Sequence, residues 1–327
     1  MINFQPQAGP YAHSSNSSTR IMYHVVLALL PTVIIAGLRF GPTAIHVVMV
    51  CILTAVLVEL FCLLAQRKPL WDCLDGSAIL TGLILALSLP PALPAEISIL
   101  GTAFAIAVGK HSYGGLGQNI FNPAMLGRVF LLICFPVQMT QWSAPIDGTI
   151  ESAAQWLNYD GVSAATLLSE HSNTISINDL LTGHQSGSLG EVHGLWLLLG
   201  GVYLLYKRII TPTIPCFFLL GIIIPASVGV AFQPESFLAP HVHVFSGGAM
   251  MAAFFIATDM VTSPSSTRGQ VIYGVLGGFL VWMIREVGSY PEGVAFAILM
   301  VNGLTPLIDH YVQPVRFGSR ITLTEDK

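Results

Sequence analysis

The chain has 327 residues, 53% hydrophobic and only 9% charged, with mean hydropathy +0.71 and formal net charge −4. Soluble domains carry about 25% charged residues, so this composition has too little charge to coat a water-exposed surface. It excludes an ordinary soluble enzyme and points to a chain whose solvent is largely lipid.

Residues 1–20 are polar, with Ser14, Ser15, Asn16, Ser17 and Ser18, and lack the charged, apolar and small-residue order of a secretory signal. They read as a cytoplasmic tail. About ten apolar stretches follow. The first five run from Ile21 to Leu38, Ala44 to Ala65, Leu74 to Leu89, Glu96 to Val108 and Phe121 to Pro136. The second five run from Gly194 to Tyr206, Pro215 to Ala231, Ser246 to Thr258, Val271 to Ile284 and Gly293 to Ile308. Several approach the length of about 20 residues that crosses a bilayer core, and others are shorter or broken by Gly and Pro. Lipid offers backbone groups no partners, so such runs are helices or closed barrel strands. Leu, Ile, Val and Ala fill them without strict alternation, which selects helices.

Residues 21–136 are thus expected to form a first five-helix membrane half and residues 193–312 a second. Residues 313–327 form a C-terminal cytoplasmic tail. A stretch from Gly76 to Ala86 matches one from Gly247 to Ala257 in its order of small and large residues. Each copy sits in the middle of its half, and an odd number of spans per half makes the second half inverted. Gly/Ala-rich helices also look alike because small residues mediate close packing. The fold class expected is all-α: a polytopic membrane protein with about ten transmembrane helices in two inverted five-helix repeats.

Basic residues set the orientation, because cytoplasmic loops hold an excess of Lys and Arg. With the N-terminus inside, ten basic residues face the cytoplasm: Arg20, Arg67, Lys68, Lys110, Lys207, Arg208, Arg268, Arg316, Arg320 and Lys327. Arg39 and Arg285 face out, and Arg128 lies within a span. The loop over residues 137–192 has no Lys or Arg but carries Asp147, Glu151, Asp160, Glu170, Asp179 and Glu191. It belongs outside the cytoplasm, in the periplasm of a Gram-negative source.

Conventional catalytic patterns are few. The cysteines Cys51, Cys62, Cys73, Cys134 and Cys216 are not paired at C-x-x-C spacing and read as small apolar fillers. His241 and His243 share one face if extended, in an outer loop, with no further ligands for a metal. No phosphate loop is present, and Gly114-Gly115-Leu116-Gly117 follows no strand, so NADH is expected on a partner.

The outer loop holds Asp160-Gly161-Val162-Ser163-Ala164-Ala165-Thr166. This spacing resembles the target of the flavin transferase that joins FMN to a hydroxyl through a phosphoester. Asp160, Ser163 and Ala165 would present the site, and Thr166 would carry the flavin. The same residues also read as a helix start, with Ser163 as N-cap. The two readings are compatible, since a helix N-terminus favours a phosphate.

The whole chain resembles the D subunit of the Rnf ion-translocating oxidoreductase complex, which is related to the B subunit of the sodium-pumping NADH:quinone oxidoreductase. The stretches that carry the resemblance run from Gly109 to Ala124, over the Thr166 motif, and from Ala257 to Pro264, with Pro291-Glu292-Gly293 and the closing Pro306 to His310. One departure is Ala164, where Gly is usual; the residue stays small. The first span begins near Ile21, without the longer N-terminal extension usual in the quinone-reductase subunit, so the Rnf subunit is preferred.

The resemblance implies a bacterial inner-membrane subunit of a redox-driven pump. Electrons would move between ferredoxin and NAD, coupled to Na+ or H+ translocation. It implies one covalent FMN on Thr166 and allows a second, non-covalent flavin, riboflavin in the related pump. The partners implied are the A, B, C, E and G subunits of the Rnf complex, a flavin transferase for maturation, and membrane lipid; no nucleic-acid partner is expected. Acids inside or beside spans are candidates for the ion path or second flavin: Asp75, Asp259 and Asp309, all toward the cytoplasm and all at positions where the related pump subunit has acids. Each also reads as a helix-end charge at the interface, and Asp75 as a helix cap. Arg128 has three candidate partners: a flavin phosphate, an acid or a lipid headgroup. The remaining alternatives are the quinone-reductase subunit itself, a flavin-free channel or transporter, and a scaffold for partner subunits.

Overall fold

The computed structural model describes residues 17–143, 163–164, 168, 186–191, 194–234, 236–288 and 293–313. Two long helices open the chain, α1 (Ser18–Phe40) and α2 (Pro42–Ala65). Ser17 caps the first by accepting from the Arg20 N–H, and Gly41 with Pro42 makes the turn between them. At 1.5 Å per residue they are about 35 Å long, enough to cross a hydrocarbon core of about 30 Å. The third predicted span is divided. A 3₁₀ turn over Leu70–Asp75 precedes α3 (Ser77–Leu87), with Gly76 between them at φ +84°. Helices α4 (Ala95–Ala107) and α5 (Pro123–Cys134) follow, then the single turn α6 (Pro136–Met139).

The second half repeats this outline. It contains α7 (Gly194–Tyr206), α8 (Thr213–Phe232), the short α9 (Pro240–Phe245), α10 (Ala249–Met251), α11 (Thr267–Val287) and α12 (Val294–Tyr311). The eighth predicted span is α10 continued by a π-helical turn over Ala252–Ile256, and it is buried along its whole length. Gly248, at φ +70°, opens it as Gly76 opens α3. The shortness of both elements follows from these glycines, whose left-handed backbone ends any helix running in from the N-terminal side.

Five helices are long and apolar enough to span a membrane by length and composition: α1, α2, α8, α11 and α12. Their outer faces carry large exposed apolar side chains such as Ile34, Leu57, Phe61, Ile224 and Leu307. In water such faces would be a liability; in lipid they are the solvent-facing surface. The protein is an all-α polytopic membrane protein. Among the described residues the strand content is one two-residue antiparallel ladder, β1 (Trp142–Ser143) with β2 (Ser163–Ala164), pairing Trp142 with Ala164 and Ser143 with Ser163.

Part of the helix pairing recurs in both halves, while the contacts of α1 with α2 and of α3 with α4 belong to the first half. In the first, α1 packs on α3, α2 on α3 and α4, α4 on α5, and α3 on α5. In the second, α7 packs on α10, α8 on the π turn and α11, α11 on α12, and the π turn on α12. Between halves, first meets first and fifth meets fifth: α1 against α7 and α5 against α12. The closest crossing is α8 on α11, where a Cβ on Gly278 would stand 2.0 Å from the Phe218 carbonyl and one on Gly221 2.5 Å from that of Val275. Paired small residues let backbones approach this closely where lipid supplies no hydrophobic drive between helices.

Candidate functional site

A cleft lies where the halves meet, lined from α1, α3 and residues 110–124 on one side and from residues 204–210 and 254–261 on the other. Most of its wall is apolar, including Leu80, Ile84, Phe254 and Phe255. Seven polar residues line it: Ser77, Thr81, Lys110, Asn119, Asn122, Thr258 and Asp259. The local chain explains their positions. Asn122 caps α5, its Oδ1 accepting from the Ala124 and Met125 N–H groups, which leaves its NH2 as the donating group. Asn119 donates to the Phe121 carbonyl at 3.0 Å and so holds the approach to that cap.

Asp259 follows the π turn and lies beyond the helical segment. Its carboxylate accepts from Val261 N at 3.2 Å and Thr262 Oγ1 at 3.4 Å. Desolvation raises this carboxyl above the usual carboxylate range, and those two hydrogen bonds oppose the shift. Behind it, Thr305 Oγ1 donates to the Thr262 carbonyl, tying the turn to α12.

Beside the cleft is a buried ionic network. Lys110 Nζ donates to Glu59 Oε1 and Oε2 at 2.6 and 2.7 Å, and to Ser77 Oγ at 2.6 Å. Ser77 Oγ and Ser77 N both donate to Asp75 Oδ1, at 2.5 and 2.7 Å. His111 Nε2 lies 3.4 Å from Glu59 Oε2. Lys110 and Glu59 are each 2% exposed. Glu59, Asp75 and His111 also line a second cavity with Lys68, Asp72 and Gln118.

A second network lies in the other half. Arg285 donates to the carbonyls of His243, Ser246 and Gly247. His243 Nε2 meets Glu286 Oε1 at 2.8 Å, and Arg128 stands 3.6 Å from Glu191. Leu168 packs with Leu238 and Val242, and both Leu168 and Arg285 lie against Gly247.

The sequence expectations divide accordingly. Asp75 and Asp259 reach one region, the first through Ser77 and the second on the cleft wall. Asp309 does not: it accepts from Ser265 N and Oγ at 3.1 and 3.2 Å and secures the start of α11. Asp75 accepts from Ser77 N, which is the capping role, and is joined through the same serine to Lys110. Of the three partners considered for Arg128, the described residues supply the acid, Glu191. One expectation needs correction. His241 and His243 are not on an extended loop: they sit on α9, with His243 fully buried against Glu286. Lys110, among the basic residues assigned to the cytoplasmic side, is a buried ion-pair partner. Arg285 is likewise buried and donates to three carbonyls ahead of α10. Thr166, Asp160 and Ala165 lie outside the described residues; Ser163 is in β2.

Sequence reasoning missed Glu59, although the signal was present: it is the sole acid in the 24 apolar residues of α2. Its significance rests on Lys110, 51 positions away.

A family model described as "NQR2, RnfD, RnfE family" matches residues 5–318. The chain belongs to this family. Family members similar to it include the D subunit of the ion-translocating oxidoreductase complex of Sodalis glossinidius (strain morsitans), 41% identical over 97% of this chain and 99% of that protein. The proteins of that name from Yersinia pseudotuberculosis serotype O:1b (strain IP 31758) and Escherichia coli (strain SMS-3-5 / SECEC) are 41% and 39% identical, each over 97% of this chain and 99% of the relative. The family match thus covers both halves, the cleft and the loop between them.

Proposed function

We propose that this chain is the electron-carrying membrane subunit of a redox-driven ion pump, in which electron transfer between ferredoxin and NAD drives Na+ or H+ across a bacterial inner membrane. The observation that carries this reading is the full-length likeness to relatives named as the D subunit of an ion-translocating oxidoreductase complex. The chain lies in the membrane as two inverted five-helix halves, with both termini cytoplasmic and the 137–192 loop outside. The helix pairing that recurs in both halves supports the repeat, and the excess of Lys and Arg in the predicted inner loops supports the orientation. The A, B, C, E and G subunits of the Rnf complex complete the pump, and a flavin transferase loads this chain.

Thr166 is the attachment point of FMN, on the strength of its motif and the family. The central cleft is the site of a second, non-covalent flavin. Its character suits an amphipathic tricyclic ring. Phe254, Phe255, Leu80 and Ile84 offer apolar faces, while Asn119, Asn122, Lys110, Ser77 and Asp259 offer donors and acceptors at the rim. A bound flavin supplies one- and two-electron chemistry there. The chain's own part is to orient the ring between apolar walls, exclude water, and hold the Lys110 amine beside it.

Denaturing gel electrophoresis tests the covalent site. Flavin fluorescence that follows the wild-type band and disappears in Thr166→Ala is the expected result, with a Thr166 peptide heavier by one FMN less water. A colourless wild-type band from cells containing the transferase overturns it.

A further inference from the structure

The Glu59–Lys110 pair forms the partition between two cavities. Lys110 and Ser77 line the central cleft; Glu59, His111 and Asp75 line the second cavity, at the predicted cytoplasmic end. A chain of contacts runs from the second cavity to the cleft and back: His111 Nε2 to Glu59 at 3.4 Å, Glu59 to Lys110 at 2.6 Å, Lys110 to Ser77 at 2.6 Å, and Ser77 to Asp75 at 2.5 Å. His111 Nε2 is buried and makes no hydrogen bond, although a carboxylate stands within ion-pair distance. On its other side the ring faces Gln66, whose Nε2 stands 3.4 Å from His111 Nδ1.

We propose that His111, Glu59 and Lys110 form a proton relay from the cytoplasm-side cavity into the central cleft. The proposal rests on the reading of that cleft as a non-covalent flavin site. Two carboxylates, Glu59 and Asp75, thus share one amine, Lys110, with the His111 imidazole beside Glu59. The remaining titratable groups around this network are Cys62 on α2, Asp72 and Cys73 on the 3₁₀ turn, and Lys68 across the cavity.

The transfer conserves charge and atoms. Lys110 Nζ gives one proton to the acceptor in the cleft. Glu59, protonated from His111, returns one to the amine, and water in the cavity reloads His111. The three side chains finish as they began, and one proton has moved inward. A lysine suits this role because, unlike arginine, it can lose its proton when desolvated. Buried ionisable groups beside a membrane cavity are costly, and relays are one of their attested uses.

The test uses the whole complex, purified and placed in nanodiscs. Stopped-flow reduction with a pH dye follows both the dissociable flavin and proton uptake. Glu59→Gln and His111→Asn should each slow proton uptake by roughly ten-fold or more, within the range of positioned acid–base groups. They should also flatten its pH profile, while Glu59→Asp restores most of both. Infrared difference spectra of the resting protein give a readout that needs no electron transfer: a histidine titration absent from His111→Asn and displaced in Glu59→Gln. Unchanged uptake and pH profile in Glu59→Gln, with normal flavin content, overturn the relay alone. So does a rate that follows Na+ concentration in place of pH. A wild-type complex without dissociable flavin overturns the reading of the cleft, and the relay with it.

Discussion

The two halves of the molecule solve one problem with different cations. In each, a basic residue at or just beyond the end of the fourth helix reaches the entry of the short third helix. In the first half Lys110 meets Ser77 at the start of α3; in the second Arg285 meets the carbonyls of Ser246 and Gly247 ahead of α10. The arginine spends both terminal nitrogens on backbone oxygens, a planar fork holding fixed acceptors. The lysine holds a carboxylate and a hydroxyl, each of which can exchange a proton, and has a cavity on either side. The comparison separates a clamp from a group able to do chemistry.

The largest expected effect is at the clamp. Arg285→Met strands three carbonyls and removes the counter-charge near Glu286 and Glu191. A loss of about 4 kcal/mol follows from breaking a buried ionic cluster on one side only, read as a fall in monodisperse yield and thermal unfolding temperature in detergent. Arg285→Lys should recover little, because a point charge cannot span three acceptors. Full recovery by lysine would erase the distinction between the halves.

Next comes the exchangeable pair. Glu59→Leu leaves the Lys110 charge buried without its carboxylate, at a cost of about 3 kcal/mol. The double variant Glu59→Leu/Lys110→Met should be more stable than Glu59→Leu alone, since no unpaired charge remains. Thermal unfolding of the four proteins of this cycle measures the coupling. Additive losses would mean that the two residues act separately.

A smaller effect compares the two helix entries. Gly76→Ala and Gly248→Ala each force an L side chain into left-handed backbone, at about 1–2 kcal/mol. Similar costs at both positions fit two copies of one unit. A large cost at one and none at the other would make the resemblance of the two segments superficial.

The ten apolar stretches were legible in the sequence because lipid imposes composition directly on any segment that crosses it. Each of them contains a helix, with the third and eighth broken where Gly76 and Gly248 take positive φ. The two segments aligned from Gly76 and Gly247 both open on left-handed glycine, Gly76 in the first and Gly247 with Gly248 in the second. Charge partnerships were not legible. Glu59 with Lys110, Glu191 with Arg128 and Glu286 with His243 join residues 43 to 63 positions apart, and no local period encodes such a pairing. Lys110 looked like a loop charge because three residues past α4 is ordinarily solvent; the fold brings that loop back under α2. Asp309 looked equivalent to Asp259, yet Ser265 takes its carboxylate while the other acid lines the cleft.

The least disruptive substitution is also the sharpest. Lys110→Arg keeps the positive charge opposite Glu59, and a guanidinium suits a carboxylate as well as an ammonium does. Its stability should stay within about 1 kcal/mol of wild type. Arginine holds its proton across the accessible pH range, so the variant turns the first half's exchangeable cation into the second half's fixed one. Proton uptake into the cleft, counted per bound flavin, should then fall toward the Glu59→Gln level. A Lys110→Arg protein with wild-type uptake and pH profile would show that both cations are clamps, and that the chemistry of the cleft draws its protons by another route.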